Sequence, residues 1–211
     1  MRAVVDFGFI TSNLRLYSME DDGEITLMNE RIVLGVAGMP GAGKGTVREI
    51  FQEMGYSIVV MGDEIREEAK RRNLKPTPEN LGMIMLKFRE EEGPAAIARR
   101  CIPKMEKVKE KIVVEGIRSL PEVDEFKKHF PNFTLIAVHA SPETRFQRLF
   151  QRKRSDDPKG WETFRERDLR ELSVGIGAAI ATADQMLVNE GSKAQLKRKT
   201  REVLKRVLKD G

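Results

Sequence analysis

The sequence contains few of the residues that build disulfide frameworks, metal clusters or membrane spans. It has one cysteine, Cys101, and two histidines, His129 and His139, among 211 residues. A single cysteine excludes an internal disulfide and a cysteine metal cluster, and the two histidines form no zinc-site pattern. No apolar run approaches the ~20 residues of a membrane-spanning helix, and the first residues lack the pattern of a signal peptide. We therefore expect a cytoplasmic protein with no membrane partner.

Aromatic residues are also scarce, and neither sign of charge is concentrated. Aromatics make up 6% of the chain, and 38 basic residues are interspersed with 33 acidic ones, which gives a net charge of +5. Proteins that bind single-stranded nucleic acid stack its bases on aromatic side chains, so this composition disfavours a nucleic-acid partner. The net charge of +5 would also fit a cluster of arginines that binds one polyphosphate.

Hydrophobic periodicity divides the chain into an N-terminal extension and one domain. Residues 1–30 begin with an alternating apolar stretch and become polar and acidic, which fits either a hairpin packed on the core or a loosely ordered extension. From Arg31 onward, apolar strand-like segments alternate with helical patterns, and they occupy residues 32–38, 56–63, 111–117, 133–140 and 184–190. This alternation predicts an α/β three-layer sandwich around a five-stranded parallel sheet.

The helical segments define the subdivisions of this domain, residues 31–211. Residues 64–110, between the second and third strands, form a helical insertion. Ser141 as N-cap and Pro142 at the first helical position begin the helix after the fourth strand. A long basic helix is predicted from Trp161, and an amphipathic helix covers the C-terminal residues.

The segment RIVLGVAGMPGAGKGT, residues 31–46, combines a buried strand, a glycine-rich turn and a lysine. Such a turn directs backbone N–H groups to one point at the positive end of a helix dipole, which makes a site for phosphate chains. Lys44 is expected to reach the β- and γ-phosphates of ATP. A turn that needs glycine only for its backbone angles is the weaker alternative. The residues assigned to ATP here are Gly38, Met39, Pro40, Gly41, Ala42, Gly43, Lys44, Gly45 and Thr46.

The hydroxyl of this turn stands one residue later than in the usual signature, G-x-x-x-x-G-K-[ST], because Gly45 follows the lysine. The stretch GMPGAGKGT resembles the P-loop of adenylate kinases and related nucleoside monophosphate kinases, which commonly read G-x-P-G-x-G-K-G-T. The resemblance implies a P-loop NTPase fold and a small-molecule kinase. It also implies that Mg²⁺ is held largely through water and the nucleotide phosphates, so Thr46 would contact the metal indirectly, through water.

Two further motifs resemble the acceptor-binding motifs of adenylate kinases. GDEIR, residues 62–66, is similar to G-D-x-x-R, and VVEGIRS, residues 113–119, is similar to D-G-[FY]-P-R. In the second motif, the acidic residue is a glutamate and the arginine comes one residue early because the proline is absent. The resemblance implies an acceptor site that contains Asp63, Arg66, Glu115 and Arg118. It also implies that Arg118 is catalytic and that the acceptor is a nucleoside monophosphate such as AMP.

Arginines are concentrated in RLFQRKRSDDPKGWETFRERDLRE, residues 148–171. Adenylate kinases carry R-x-x-x-R where their lid begins, and R-x-D-D with another arginine eleven residues beyond the first where it ends. Arg148 and Arg152, then Arg154 and Arg165, match these spacings. The resemblance implies a short lid over residues 148–167, with Arg148 near the adenine. The other three arginines would be catalytic together with Lys44, because phosphoryl transfer needs distributed positive charge.

The same arginines have two simpler interpretations, a solvated basic helix or a nucleic-acid patch. The neighbouring pair Asp156–Asp157 has two as well, an Mg²⁺ site or ion pairs with the arginines. Of these two, we favour ion pairs with the arginines.

The C-terminal third carries a second resemblance. VHASPETRFQRLFQR, RERDLRE and ATADQMLVNEGS are similar to the last third of dephospho-coenzyme A kinases, where S-P-E and D-x-x-[ILV]-x-N-x-G recur. Together, residues 31–208 most resemble an archaeal family of adenylate-kinase-related P-loop proteins that combines both signatures. The resemblance implies a kinase that uses ATP and Mg²⁺. A nucleoside monophosphate, dephospho-coenzyme A or another small molecule as acceptor, and nucleotide binding or slow hydrolysis without an acceptor, all stay open, as does the oligomeric state.

Overall fold

A five-stranded parallel sheet forms the centre of the protein. The computed structural model describes residues 17–19, 25–27, 31–108, 111–154 and 157–210. The strands of the sheet are β3 (Val33–Ala37), β4 (Ser57–Val60), β5 (Ile112–Ile117), β6 (Phe133–His139) and β7 (Gln185–Val188), in the spatial order β4-β5-β3-β6-β7. Two short strands, β1 (Tyr17–Met19) and β2 (Ile25–Leu27), pair with each other in an antiparallel hairpin.

Helices cover both faces of this sheet, and the predicted α/β three-layer sandwich is confirmed. On one face α1 (Lys44–Glu53) and α9 (Lys193–Asp210) share a core with β3 and β6. The remaining helices are α2 (Met61–Arg71), α3 (Pro78–Glu92), α4 (Ala96–Glu106), α5 (Leu120–His129), α6 (Pro142–Arg152), α7 (Trp161–Val174) and α8 (Ile176–Ala181). The core on the other face takes residues from α2, α3, α4, α5 and α8.

The middle strand, β3, positions the glycine-rich turn. All of its residues are buried, as expected of a parallel strand that is covered on both faces and therefore reads as a continuous apolar run. Its neighbours β5 and β6 run parallel to it, so the residues after β3, β5 and β6 meet at one edge of the sheet. Open α/β sheets bind ligands at this edge.

Two predicted boundaries are wrong for identifiable reasons. The second strand was expected to run to Asp63, but β4 ends at Val60 and α2 begins at Met61. Met61 is buried in the core beneath the sheet, so the apolar residue that continued the strand pattern belongs to the first helical turn. The single helix expected from Trp161 is divided at Gly175, whose φ of +108° ends α7. In contrast, Ser141 caps α6 as predicted, since its Oγ accepts a hydrogen bond from the Thr144 N–H.

The ranges expected for the insertion and the lid can be located on the structure. The insertion assigned to 64–110 coincides largely with α2 to α4, and its last two residues lie outside the described chain. The lid assigned to 148–167 runs from the end of α6 into α7, with residues 155 and 156 outside the description. Most of the extension 1–30 also lies outside it. None of the helices in the described ranges is long and apolar enough to cross a membrane.

Candidate active site

The glycine-rich turn leads from β3 directly into α1. Gly43 is the N-cap of this helix in a left-handed conformation, and no side chain caps the helix N-terminus. The first N–H groups of a helix lack intrahelical partners, so an uncapped terminus can bind an anion. A Cβ atom added to Gly45 would meet nothing within 4 Å. There is therefore open space beside the helix N-terminus, at the position where the usual signature has a hydroxyl.

Close approaches of the main chain and of a buried amide explain two of the glycines. A Cβ atom on Gly38 would lie 2.4 Å from the carbonyl oxygen of Val138. On Gly43 it would lie 2.3 Å from Nδ2 of Asn189. Both glycines also have positive φ angles, +152° and +108°, which side chains rarely tolerate. These glycines therefore fix the shape of the turn, whereas the space beside Gly45 is free.

Two buried side chains from the C-terminal half of the chain support this turn. Asn189, just after β7, donates Nδ2–H to the carbonyl oxygen of Ala42 at 2.8 Å. Arg145 in α6 donates Nη1–H to the carbonyl oxygen of Pro40 at 3.2 Å. The sequence analysis assigned neither residue to the site. The D-x-x-[ILV]-x-N-x-G motif was a signal for the asparagine, and nothing local marked the arginine.

Arg145 also connects the turn to α7. Its guanidinium pairs with both carboxylate oxygens of Asp168 in α7, at 2.8 and 2.5 Å, and lies 5.0 Å from the centre of the Phe164 ring. Bidentate guanidinium–carboxylate pairs are strong and directional. The position of α7 is therefore coupled to the backbone of the glycine-rich turn.

Lys44 is folded back onto its own turn. Its Nζ donates to the carbonyl oxygens of Gly38 and Met39, at 2.6 and 3.3 Å. Burial lowers the pKa of this amine to about 8, partly opposed by the charge of Glu115, while the positive charge of Arg118 lowers the pKa further. The lysine is thus held in a crowded, desolvated place, and an anion bound beside it would raise its pKa again.

A cavity of about 160 Å³ opens beside Lys44, under the helical insertion. Its lining contains three arginines, Arg66, Arg89 and Arg118, together with Glu115 and Glu122. Two of the predicted acceptor residues, Asp63 and Arg66, form an ion pair at 2.6 Å with each other, and both are more than half exposed. The structure therefore brings the predicted Arg66, Glu115 and Arg118 to one cavity, and Asp63 reaches it through Arg66. Arg89 was not found from the sequence.

A bulge in β5 brings the second acceptor motif to this cavity. Val36 pairs with Glu115 and Ala37 with Ile117, so Gly116 is passed over in the register between β3 and β5. Gly116 has a φ of +106°, and bulges of this kind re-aim neighbouring side chains next to active sites. The glutamate turns toward α1, where its Oε2 accepts a hydrogen bond from Arg48 at 3.2 Å.

Arg118 lies where the cavity beside Lys44, the turn and α7 meet. Its Nε lies 3.3 Å from Oε2 of Glu171, an oxygen that accepts no hydrogen bond from the described residues. A smaller cavity of about 40 Å³ lies between these two side chains, Lys44 and Gly38. Glu171 thus places a carboxylate from α7 beside the glycine-rich turn, and sequence spacing gave no indication of it.

Asp157 in the lid region forms ion pairs with arginines, as the sequence analysis favoured. Its carboxylate binds Arg152 through two hydrogen bonds at 2.5 and 3.0 Å and accepts a third from the Arg154 N–H at 2.9 Å. Burial raises the pKa of Asp157, but these hydrogen bonds and the charges of Arg152 and Arg167 outweigh burial and bring it below its usual value. Asp156 lies outside the described residues.

The other predicted lid arginines differ in their surroundings. Arg148 is half-buried, with Nη2 at 3.4 Å from the Gly191 carbonyl oxygen and 3.5 Å from Asn189 Oδ1. Arg154 and Arg165 are exposed, and neither lines the two cavities described above. Arg167, which the sequence analysis did not assign, is half-buried, and its charge acts on the pKa of Lys44. Of the two α7 arginines Arg165 and Arg167, it is therefore Arg167 whose charge affects Lys44.

A central parallel strand, a glycine-rich turn with a lysine and an uncapped helix N-terminus define a P-loop protein of kinase-like fold. Residues 37–165 match the family model described as an AAA domain. The fold is similar to that of a shikimate kinase from Bacteroides thetaiotaomicron, with a TM-score of 0.58, 14% identity and coverage of 82% of this chain and 98% of that one. A gluconokinase from Sinorhizobium meliloti aligns with a TM-score of 0.54, 14% identity and coverage of 84% and 94%. At these identities the likeness concerns the fold alone.

Within this class, the chain belongs to the UPF0200 family. It is 46% identical over 182 residues to the UPF0200 protein of Pyrococcus abyssi, which covers 84% of this chain and 97% of the relative. The UPF0200 protein of Methanocaldococcus jannaschii is 53% identical over 164 residues, 76% of this chain and 83% of the relative. The predicted P-loop domain and its archaeal relatives are therefore confirmed. The family name specifies no reaction.

Proposed function

We propose that this protein transfers the γ-phosphoryl group of ATP to a nucleoside monophosphate such as AMP. The observation that carries this proposal is the position of the arginine-lined cavity directly beside Lys44. Arg66, Arg89 and Arg118 offer guanidinium groups to a phosphate-bearing acceptor. The P-loop and this cavity share one wall, so donor and acceptor phosphates would be neighbours, which is the main requirement of phosphoryl transfer.

The pairing of the carboxylates favours a phosphate as the attacking group. Glu115 accepts from Arg48, and Glu122 accepts from Arg89 and from the Arg118 N–H. Glu171 forms its ion pair with Arg118. A hydroxyl acceptor needs a general base to take its proton, whereas a phosphate oxygen is already anionic. These engaged carboxylates therefore fit a nucleoside monophosphate better than the alcohol of dephospho-coenzyme A.

In the proposed reaction, residues 38–46 bind the phosphates of ATP and Arg148 lies near its adenine. Lys44 exchanges its two carbonyl partners for phosphate oxygens. An oxygen of the acceptor phosphate attacks the γ-phosphorus while the bond to the β–γ bridging oxygen breaks, and ADP leaves with the electron pair. Lys44 and Arg118 balance the charge of the transferring group. The lid residues Arg152, Arg154 and Arg165 are the further catalytic candidates, and the half-buried Arg167 joins them.

The donors at the turn fit an Mg²⁺ ion that is bound mainly by nucleotide phosphates. The nearby oxygens are the half-buried hydroxyl of Thr46 and the carboxylates of Glu115 and Glu171, which already pair with arginines. Thr46 would therefore contact the ion through water. Bound there, Mg²⁺ would neutralise phosphate charge and orient the phosphate chain.

An acceptor panel tests the proposal. The protein is incubated with Mg·ATP and AMP, CMP, GMP, UMP or dephospho-coenzyme A, and each product is identified directly. We expect a nucleoside monophosphate to raise ADP production by about tenfold or more and to be converted to its diphosphate, since binding an acceptor assembles the site. Lys44→Ala should abolish the reaction. Arg198→Ala, at an exposed pair on α9, should leave the rate unchanged.

A slow ATPase or nucleotide-binding regulator is the second candidate. The exposure of Arg154 and Arg165 supports it, because a lid that leaves its arginines in solvent excludes water poorly and permits hydrolysis. In that case no acceptor in the panel changes ADP production, and phosphate is released instead. A third outcome is transfer to dephospho-coenzyme A alone. The protein would then be a kinase, as proposed, but its acceptor would not be a nucleoside monophosphate.

A further inference from the structure

Arg89 brings an unused hydrogen-bond donor to the acceptor cavity. The residue lies in α3, its side chain is 14% exposed, and it lines the cavity beside Lys44. Its Nη2 donates to Oε1 of Glu122 at 2.8 Å. Its Nη1 is buried and has no hydrogen-bond partner among the residues that the structure describes. Leaving a buried donor of a charged group unpaired costs free energy, and a ligand oxygen that reached this atom would remove that cost.

Glu122 holds this arginine in place. The glutamate is 1% exposed, near the start of α5, and both of its oxygens are occupied. Oε1 accepts from Arg89, and Oε2 accepts from the backbone N–H of Arg118 at 2.7 Å. The buried carboxylate of Glu122 therefore orients both the guanidinium of Arg89 and the backbone at Arg118. Such pre-organisation lowers the entropy that binding an anion would otherwise cost.

The charge of the cavity suits an anion. Four cationic side chains line it, against the two carboxylates Glu115 and Glu122. Each oxygen of Glu122 accepts one hydrogen bond, and Glu115 pairs with Arg48 outside the cavity lining. A guanidinium can bind a carboxylate on one side and a phosphate on the other, because its donors form a rigid planar fork.

We propose that Arg89, held by Glu122, binds the phosphate of the acceptor through Nη1 and thereby selects phosphomonoesters as acceptors. The inference rests on the proposed function for the reaction itself, but anion binding at Arg89 requires no transfer. Arg66, which is more than half exposed, supplies charge at the mouth of the cavity. Arg89 supplies the fixed contact inside it.

Binding measurements without ATP test this inference. Calorimetric titration with AMP, and competition by inorganic phosphate, are carried out on wild-type protein and on Arg89→Ala, Arg89→Lys and Glu122→Gln. We expect each variant to weaken AMP binding by about tenfold or more, since a lost charge-assisted hydrogen bond is worth about 1.5–3 kcal/mol. Affinity for a non-hydrolysable ATP analogue should stay within about twofold, because no contact with the P-loop is removed. Arg99→Ala, at an exposed pair with Glu125, is the matched control.

The lysine variant separates ligand binding from a structural role. It keeps a cation beside Glu122 but has no second nitrogen for the phosphate, so it should retain the wild-type melting temperature while it loses AMP affinity. Unchanged AMP affinity in a folded Arg89→Lys protein overturns the inference, as does a wild-type protein that binds neither AMP nor phosphate. If AMP binds through Arg89 but no acceptor is phosphorylated, the inference stands and the proposed function fails. If Arg89→Ala and Arg89→Lys both phosphorylate AMP as well as the wild-type protein does, the inference fails and the proposed function stands.

Discussion

Lys44 links ATP binding to pH. Burial lowers the pKa of its amine to about 8 in the ligand-free protein, and phosphate oxygens would raise the pKa again because they favour the charged form. Binding ATP should therefore take up a proton near pH 8, and the affinity for ATP should fall as pH rises from about 7 to about 9. Calorimetry in two buffers with different heats of ionisation measures this uptake.

Lys44→Arg is the control for this prediction. An arginine stays protonated throughout the range, so the variant should bind ATP without proton uptake, whatever its affinity. If the wild-type protein binds ATP equally well at pH ~7 and pH ~9, the claim that burial lowers the pKa of Lys44 is contradicted.

Asn189 should matter for ATP binding although it has no predicted contact with ATP. Its amide donates to the carbonyl of Ala42 and lies directly under Gly43. Asn189→Ala leaves that buried carbonyl unpaired, and we expect a loss of about 1–3 kcal/mol in the free energy of unfolding. ATP affinity should fall as well, because the turn is less fixed. Urea denaturation and ATP titration check both effects.

Asn132→Ala is the comparison for this substitution. Asn132 is exposed, and replacing it should change neither the stability nor the affinity. The expectation for Asn189 is wrong if its variant behaves like this one.

The residues of the site could be predicted from sequence only where they are close together along the chain. The P-loop follows from one short segment, and Glu115 and Arg118 follow from a second motif. Asn189 reaches Ala42 across 147 positions, and Arg145 reaches Pro40 across 105. Such contacts depend on how helices pack on the sheet, which periodicity alone does not specify.

Helix α7 is the element that joins the lid region to the P-loop. Its Asp168 pairs with the buried Arg145, and Asp168→Ala would leave that guanidinium without its carboxylate. Removing one partner of a buried pair costs about 3–5 kcal/mol, so we expect a loss of stability of this size. ATP affinity should fall as well, since Arg145 also supports Pro40. Guanidinium chloride denaturation and ATP titration measure the two effects.

Glu202→Ala is the control for the loss of an ion pair. It removes an exposed pair within α9, and pairs of that kind contribute about 0–1 kcal/mol. A similar loss in both variants would mean that the Arg145–Asp168 pair has no special role.

The boundaries of the elements were less predictable than their order. The strand pattern continued through Met61 because helix and strand can both bury an apolar residue at that point. The predicted helix after Trp161 continued through Gly175 because a glycine inside a helical pattern does not by itself identify a left-handed C-cap. The order of strands and helices depends on many residues and was predicted correctly.

At the scale of the whole molecule, every residue of the proposed site comes after residue 37 in the sequence. A protein shortened to residues 31–211 should therefore fold and bind ATP with the affinity of the full chain, because the P-loop, Arg148 and both supports of the turn are retained. Circular dichroism and ATP titration of the two proteins test this. A shortened protein that folds but no longer binds ATP would assign a role in the site to residues 1–30.

The α/β architecture also explains why two separate motifs meet. Parallel strands direct the segments after β3 and β5 to the same edge of the sheet, and the pairing of β3 with β5 makes the P-loop and VVEGIRS neighbours there. Arg89 and Glu171 come from α3 and α7, outside these two segments. Their positions depend on tertiary packing, and only the structure reveals them.

Transfer of labelled phosphate tests the central claim most directly. The protein is incubated with Mg²⁺, γ-labelled ATP and AMP or CMP, and the labelled products are separated. The account predicts label in the β-phosphate of the new nucleoside diphosphate, and no such product with Lys44→Ala. Label that appears only as inorganic phosphate, with every nucleoside monophosphate tested, would contradict it.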